Sequence, residues 1–322
     1  MRICIPALTT ALCALILGCA SVPRSSVPIR LETLSETLNS SVQDVTIQSV
    51  VQVRIEQLLR DSNLFEVTPD AARSWKTDEL SYAIRVLQEA VYLSSGGLAP
   101  QVLESMETVF SELLARTHET PSDIRALWKT YVISRQFSKA IALETRHGEI
   151  DFGERVVQFV DRAGIERADP SVRLIAKGTR SLWRANHESA VLEREVVSIP
   201  EHVHVVAIVS LGCSFSSRAL AVIQRDAELA ALFGSVSWLI PPDVTLGARD
   251  VISWNRSFPS YALAYVHSVG EWPEIEYWDT PQFYFFARGR LVSSVAGWPR
   301  EGRKAEMLIA YAAAKAAVLA RD

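Results

Sequence analysis

One stretch restricts the fold of this chain more than any other, because it joins a strand pattern directly to a helix pattern. Residues 203–211 are mostly apolar and β-branched, which is typical of a strand that is buried on both faces. Gly212 and Cys213 follow, and apolar residues then recur at the spacing of one face of a helix. This order predicts an α/β domain in which Cys213 lies in the first turn of a helix.

The residues after this helix predict the rest of the domain. A second apolar run ends at two prolines, and two later runs flank a turn that contains Gly289, as in a β-hairpin. Thr280 and Pro281 come directly before that hairpin. The strands are expected at residues 236–240, 279–287 and 291–296, and the last helix at about 305–319.

A cysteine in the first turn of a helix has a specific chemical consequence. Unpaired backbone N–H groups and the positive end of the helix dipole both favour the thiolate over the thiol. We therefore expect the pKa of Cys213 to lie below the ordinary value of a free thiol, provided that the sulfur is open to solvent.

The order of elements, with Cys213-x-x-Ser216 opening the helix and Thr280-Pro281 before the hairpin, resembles the thioredoxin superfamily. The resemblance implies that Cys213 and Ser216 occupy the catalytic positions. It also implies that Gly212, Thr280 and Pro281 contact the substrate. In this family the peptide bond before the proline is cis, so the bond between Thr280 and Pro281 is expected to be cis.

The resemblance covers about residues 195–320, and the chain departs from it at two positions. Ser216 stands where the family has the cysteine that resolves a mixed disulfide, and Ala207 stands where it has a buried acid. What remains is a monothiol, which needs an outside thiol to release its product. The first hypothesis is monothiol thiol–disulfide exchange on envelope client proteins through Cys213. The alternative is a non-catalytic binding or scaffold domain in an envelope assembly.

The amino terminus resembles the signal peptide of a bacterial lipoprotein. Arg2 precedes an apolar stretch of about 15 residues, which is too short to span a bilayer but typical of a signal peptide. The stretch ends at Leu17-Gly18-Cys19, which is similar to a lipobox. The resemblance implies removal of residues 1–18 and lipidation of Cys19, followed by a tether at residues 19–28.

Ala20 follows the lipobox, and by the same resemblance it favours the periplasmic side of the outer membrane. Two alternatives remain open, namely an ordinary secretory signal that is cut after Ala20 and a retained membrane anchor. The expected partners are envelope client or assembly proteins, and the membrane through the lipid. The formal net charge of −4 excludes nucleic acid as the main partner, because no basic tract is present to neutralise phosphates.

The sequence gives no reason to expect a metal or another cofactor. The four cysteines are Cys4, Cys13, Cys19 and Cys213, so processing would leave one thiol in the mature chain. One thiol can form neither an internal disulfide nor a multi-cysteine zinc site. His202 and His204 would share one face of a strand, but no third ligand is evident.

Residues 29–190 are predicted to form an all-α domain, and residues 191–322 a thioredoxin-like α/β domain with a central mixed sheet flanked by helices. Leu80, Ile84, Leu87 and Val91, for example, make an apolar helical stripe. Residues 123–143 are similar to a tetratricopeptide unit, with a tight turn at Arg135-Gln136 and Ala140 as the small residue between paired helices. A helical hairpin without repeat ancestry is the alternative.

Overall fold

A computed structural model describes residues 34, 36–38, 40, 48–94, 96–153, 158–161, 179–186, 191–242 and 247–320. The signal segment and Cys19 lie outside the described residues. The protein is a mixed α/β protein with a helical amino-terminal part and an eight-stranded mixed sheet. In the described part of the chain, no helix is both long enough and apolar enough to cross a membrane.

The helices of the amino-terminal part begin where the sequence supplies caps. Thr120 accepts a hydrogen bond from the Asp123 N–H, the Asp123 carboxylate accepts one in return from the Thr120 N–H, and Pro121 occupies the first turn. The described helices are α1 (Gln48–Asp61), α2 (Pro69–Ser74), α3 (Thr77–Leu93), α4 (Ala99–Ala115), α5 (Pro121–Ile133) and α6 (Phe137–Arg146).

The predicted helical periodicity is confirmed by burial. Leu80, Ile84, Leu87 and Val91 all lie in the core. The tight turn between α5 and α6 is also present, since Arg135 has a left-handed φ of 58°. These positions formed the basis of the helical prediction.

The sheet combines strands from distant parts of the chain in the order β1-β3-β2-β6-β5-β4-β7-β8. In its centre β4 runs parallel to β5 and antiparallel to β7, and β7 is antiparallel to β8. The strands are β1 (Phe159–Asp161), β2 (Arg180–Asn186), β3 (Val191–Val197), β4 (His204–Ile208), β5 (Val236–Ile240), β6 (Leu263–Val266), β7 (Gln282–Ala287) and β8 (Arg290–Ala296). The remaining helices are α7 (Ser214–Arg225), α8 (Ala227–Leu232), α9 (Ala248–Ser257) and α10 (Lys304–Leu319), with short 3-10 turns at Pro259–Tyr261 and Val269–Glu271.

The prediction of helix throughout residues 29–190 is wrong at β1 and β2. Strand β2 pairs with β3 on one side and with β6 on the other, so the sheet includes strands from both sides of the predicted boundary at residue 190. The sequence did not reveal β2 because Arg180 and Arg184 interrupt its apolar pattern. Pairing with β3, and at long range with β6, then decides its conformation.

The two faces of the sheet are covered differently. On one face, Ile223 of α7 and Met307 of α10 pack in one apolar cluster with Phe283 and Phe285 of β7. On the other face, the segment between β6 and β7 supplies buried side chains, including Trp272. The segment before β7 is therefore part of the core, which fixes the position of Thr280 at its end.

Aromatic rings join the helical part to the sheet. Phe137, at the start of α6, is fully buried, and its ring centroid lies 4.9 Å from that of Trp183 on β2. The Arg135 guanidinium donates a hydrogen bond of 3.2 Å to the carbonyl of Val266 on β6. These contacts tie the α5–α6 turn to the middle of the sheet.

A buried arginine connects the outer strands. Arg194 on β3 donates to the Ser181 hydroxyl at 3.1 Å and forms ion pairs with Asp161 at 3.4 Å and with Glu271 at 3.5 Å. Its side chain is 2% exposed, so the charge depends on these partners for compensation.

Candidate functional site

The candidate site begins where β4 ends and α7 starts. Cys213 is the N-cap residue of this 12-residue helix, with an extended backbone (φ −90°, ψ 118°). Its side chain is partly exposed. The predicted placement of the cysteine at a helix start is therefore confirmed.

The second predicted motif lies against this cysteine. The Thr280–Pro281 peptide bond is cis, as the resemblance implies. The Cys213 thiol donates a hydrogen bond of 3.3 Å to the Thr280 carbonyl oxygen. Pro281 is buried, and its carbonyl accepts a hydrogen bond of 2.8 Å from the Gly297 N–H, which ties the loop to the end of the hairpin. Two residues that are 67 positions apart thus share one site.

The surroundings of the sulfur set its ionisation. Partial burial raises the pKa of Cys213. Hydrogen bonds lower it by a larger amount, so the pKa lies below its ordinary value; they come from the Thr280 side chain, the Ser216 N–H and hydroxyl, and the Phe215 N–H. A carbonyl oxygen can only accept, so the bond to the Thr280 carbonyl exists only while the sulfur keeps its proton. Ionisation therefore releases this carbonyl.

Ser216 lies beneath the thiol and not beside it at the surface. Its side chain is fully buried, and its hydroxyl accepts a hydrogen bond of 3.3 Å from the Ser210 N–H. This bond holds the turn before Cys213 against the first turn of α7. Ser216 therefore supports the site, and the hydroxyl is shielded from solvent.

Gly212 is adjacent to Cys213 in sequence, but nothing in its surroundings requires glycine. It is exposed, and a Cβ atom at this position would meet only the Ser210 hydroxyl oxygen, at 3.9 Å. The structure therefore brings together Cys213, Ser216, Thr280 and Pro281. Gly212 leaves the approach to the sulfur open.

Phe215 is a site residue that the sequence analysis missed. It follows Cys213 by two positions, and the residue is 49% exposed. The Arg218 guanidinium lies 5.2 Å from the ring centroid, within the range of a cation–π contact. The sequence held no signal for its exposure, because Phe215 precedes Ala219 and Ile223 by four and eight residues, the spacing of one apolar helix stripe.

His204, the first residue of β4, and His202, two residues before it, form a separate polar cluster at the opposite end of that strand. The Ser235 hydroxyl lies 2.9 Å from His202 Nε2 and 2.8 Å from His204 Nδ1, and Ser237 lies 3.0 Å from His204 Nε2. Burial, followed by the charge of His202, lowers the pKa of His204 to about 4. Among the described residues, no group of three or more histidine, cysteine, aspartate or glutamate side chains is arranged to hold a metal ion.

Comparison with known proteins gives no further information on this site. Comparisons with protein-family models, with curated proteins and with solved structures found no match. The resemblances to lipoproteins, to the thioredoxin superfamily and to tetratricopeptide units therefore stay predictions. The arrangement around Cys213 is the observation from which a function can be proposed.

Proposed function

We propose that this chain is an envelope lipoprotein that performs monothiol thiol–disulfide exchange on client proteins through Cys213, within a thioredoxin-like domain. The observation that carries the proposal is the contact between the Cys213 thiol and the backbone carbonyl of Thr280, directly before a cis proline. A thiol with a lowered pKa and partial exposure has the properties that disulfide exchange requires, and the carbonyl beside it is an acceptor for the backbone of a client.

The central strands support the proposed domain. Strands β5-β4-β7-β8 are adjacent in that order, α7 follows β4, and α10 follows β8. This is the arrangement that a thioredoxin-like domain requires around its cysteine and proline loops. Strands β6, β2, β3 and β1 would then be an extension of that sheet on the β5 side.

The exchange step balances without a cofactor. The Cys213 thiolate attacks one sulfur of a client disulfide, the client S–S bond breaks, and the second client sulfur leaves as a thiolate that takes up a proton. The product is a mixed disulfide between Cys213 and the client. A second thiol, from the client or from a small molecule, then attacks this disulfide and restores the Cys213 thiolate. Ser216 is a hydroxyl and cannot do so.

The Thr280 carbonyl couples ionisation to client binding in this proposal. While Cys213 is protonated, the carbonyl accepts the thiol hydrogen. Once the thiolate forms, the same oxygen is free to accept a backbone N–H of an extended client segment. The reactive form of the sulfur and the open form of the binding loop therefore occur together.

The first test measures the pKa of Cys213 from the pH dependence of alkylation by iodoacetamide, with Cys213→Ser as the blank. We expect an apparent pKa below the ~8.5 of a free thiol and correspondingly fast alkylation near neutral pH. Alkylation no faster than that of an unperturbed thiol would contradict the proposal.

The second test examines the missing resolving thiol. In cells, Cys213 should be found in mixed disulfides with envelope proteins or small thiols, which are trapped by acid quenching and detected by non-reducing electrophoresis. Ser216→Cys should shorten the lifetime of these adducts by supplying an internal thiol, and Ser216→Ala is the matched control that should not. Adducts that are absent, or that persist unchanged in Ser216→Cys, would count against exchange.

One observation favours the alternative of a binding domain without redox chemistry. The exposed ring of Phe215 offers apolar contact area two residues from the thiol. If client capture survives Cys213→Ser but is lost in Phe215→Ala, the site acts by binding alone. Capture that requires the Cys213 sulfur supports exchange.

A further inference from the structure

The outer face of the last helix, α10, is apolar and exposed. Its inner face packs on the sheet through buried residues such as Met307 and Ala314. On the opposite side, Ile309 is 70% exposed and Leu319 is 73% exposed, the highest values among the large hydrophobic side chains of the described residues. A helix that is apolar on both sides is expected to be covered on both sides.

The exposed residues form a straight seam. Ala305, Ile309, Ala312, Ala316 and Leu319 are all exposed and follow one another at intervals of four, three, four and three residues. This is the heptad spacing that keeps one stripe of a helix in continuous contact with a second helix. The seam therefore fits another helix, and alanine at its centre lets the two backbones approach closely.

The seam is held rigidly on the domain. At one end, the Lys304 ammonium forms ion pairs with Asp226 at 2.7 Å and with Glu228 at 2.9 Å. At the other end, the Arg288 guanidinium donates hydrogen bonds to the carbonyls of Val318, at 3.1 Å, and of Ala320. Association through this face therefore requires little reorganisation of the helix.

We propose that this face binds the same face of a second copy of the chain, with the two α10 helices antiparallel around a two-fold axis at Ala312. In that register Leu319 of one copy lies opposite Ala305 of the other, and Ile309 lies level with position 315, so that its nearest neighbour in the facing seam is Ala316. Each large side chain thus meets a small one. A parallel pair would instead place Ile309 against Ile309 and leave a gap between facing alanines. The antiparallel arrangement is closed and self-complementary, as a two-fold dimer requires.

The seam is small. From the exposed fractions of Ile309 and Leu319 and the three exposed alanines, each copy contributes on the order of 500 Å², so the dimer buries about 1,000 Å², near the lower limit for a specific interface. Area alone does not set affinity, but a contact of this size is expected to give a dimer that depends on protein concentration. The inference is independent of the thiol chemistry, since Cys213 contributes nothing to this face.

The test is sedimentation velocity of the whole chain in detergent and reductant over a concentration series. Ile309→Asp places two charges in the seam of each dimer and should weaken association by about 100-fold or more. Val53→Asp is the matched control, because Val53 is 67% exposed on α1, outside the seam, and association should be unchanged. Circular dichroism of both variants checks that the fold is intact.

A second measurement tests the register. Ala312→Cys should form an intermolecular disulfide across the two-fold axis on mild oxidation, and peptide mapping distinguishes it from links through Cys213. Ile309→Cys should not, because two copies of this position would lie about 10 Å apart along the seam, beyond disulfide reach. A chain that is monomeric throughout the concentration series, or a dimer that Ile309→Asp leaves intact, overturns the proposal. Loss of a different copurifying protein from monomeric Ile309→Asp would instead assign the face to that protein.

Discussion

Lowering the pH should destabilise the sheet through one side chain, His204. This imidazole is buried on β4, where its two ring nitrogens lie 2.8 Å from the Ser235 hydroxyl and 3.0 Å from the Ser237 hydroxyl. Burial, and then the charge of His202, lowers the pKa of His204 from its ordinary 6.5 to about 4. The folded protein therefore holds His204 neutral at pH values where the unfolded chain takes up a proton.

The sign and size of the effect follow from these two pKa values. Above pH 6.5 the imidazole is neutral in both states and costs nothing. Between that pH and about 4 only the unfolded state binds the proton, so the free energy of unfolding falls as the pH falls. Since each tenfold difference in proton affinity is worth about 1.4 kcal/mol, the full loss is about 3 kcal/mol, and it is complete near the folded pKa.

The assay is denaturant unfolding of the whole chain at a series of pH values between neutral and about 4, compared with His204→Asn. The difference between the two proteins isolates this group from the other titrating groups, and it should change by about 3 kcal/mol over that interval. In His202→Asn the pKa of His204 should rise, because the second cause of its depression is removed, and the loss should be smaller. An imidazole that titrates near 6.5 by NMR in the folded protein, or a wild-type pH dependence equal to that of His204→Asn, would refute the reasoning.

Three further outcomes are expected. Arg194→Ala should lower the free energy of unfolding by about 3–5 kcal/mol in denaturant titration, because it removes a buried cation from between two carboxylates. The control is Arg184→Ala, which breaks an exposed ion pair on the neighbouring strand and should lower the free energy of unfolding by less than about 1 kcal/mol. Equal costs would contradict this account of Arg194. Phe137→Ala should cost about 3–5 kcal/mol, because the ring fills the junction between α6 and β2; a loss below about 1 kcal/mol would show that the junction repacks. Labelled fatty acid should be incorporated into the chain and lost in Cys19→Ala, and labelling that survives the substitution rules out the proposed anchor.

The parts of the fold that the sequence predicted are those with a strong local pattern. The helical stripes of α3 to α6 and the apolar runs of β4, β5, β7 and β8 were all recognisable, because burial forces a period on each of them. Strands β1, β2, β3 and β6 were not predicted. They are short or carry charged residues, which weakens the strand pattern. Although β2 and β3 are close in sequence, β1 and β6 pair with partners that lie far away, so those stabilising contacts are absent from any local window.

The candidate site, too, was predicted only in part. The meeting of Cys213 with Thr280 and Pro281 followed from the resemblance, which supplies long-range information. The burial of Ser216 and the exposure of Phe215 depend on how the first turn of α7 is rotated against the sheet. That rotation is set by tertiary packing and could not be read from the residue types alone.

The position of β2 between β3 and β6 has a consequence for the order in which the chain folds. Trp183 on β2 contacts His267, which is 84 residues later, so the ribbon of β2 and β3 leaves the ribosome well before its neighbour β6 exists. During that interval β2 has an open hydrogen-bonding edge, which is a template for unwanted pairing with other chains. The helical part, rich in local contacts, is expected to fold first, and completion of the sheet is the slow step. The nascent chain should therefore be most prone to aggregation after β2 is synthesised and before β6 pairs with it.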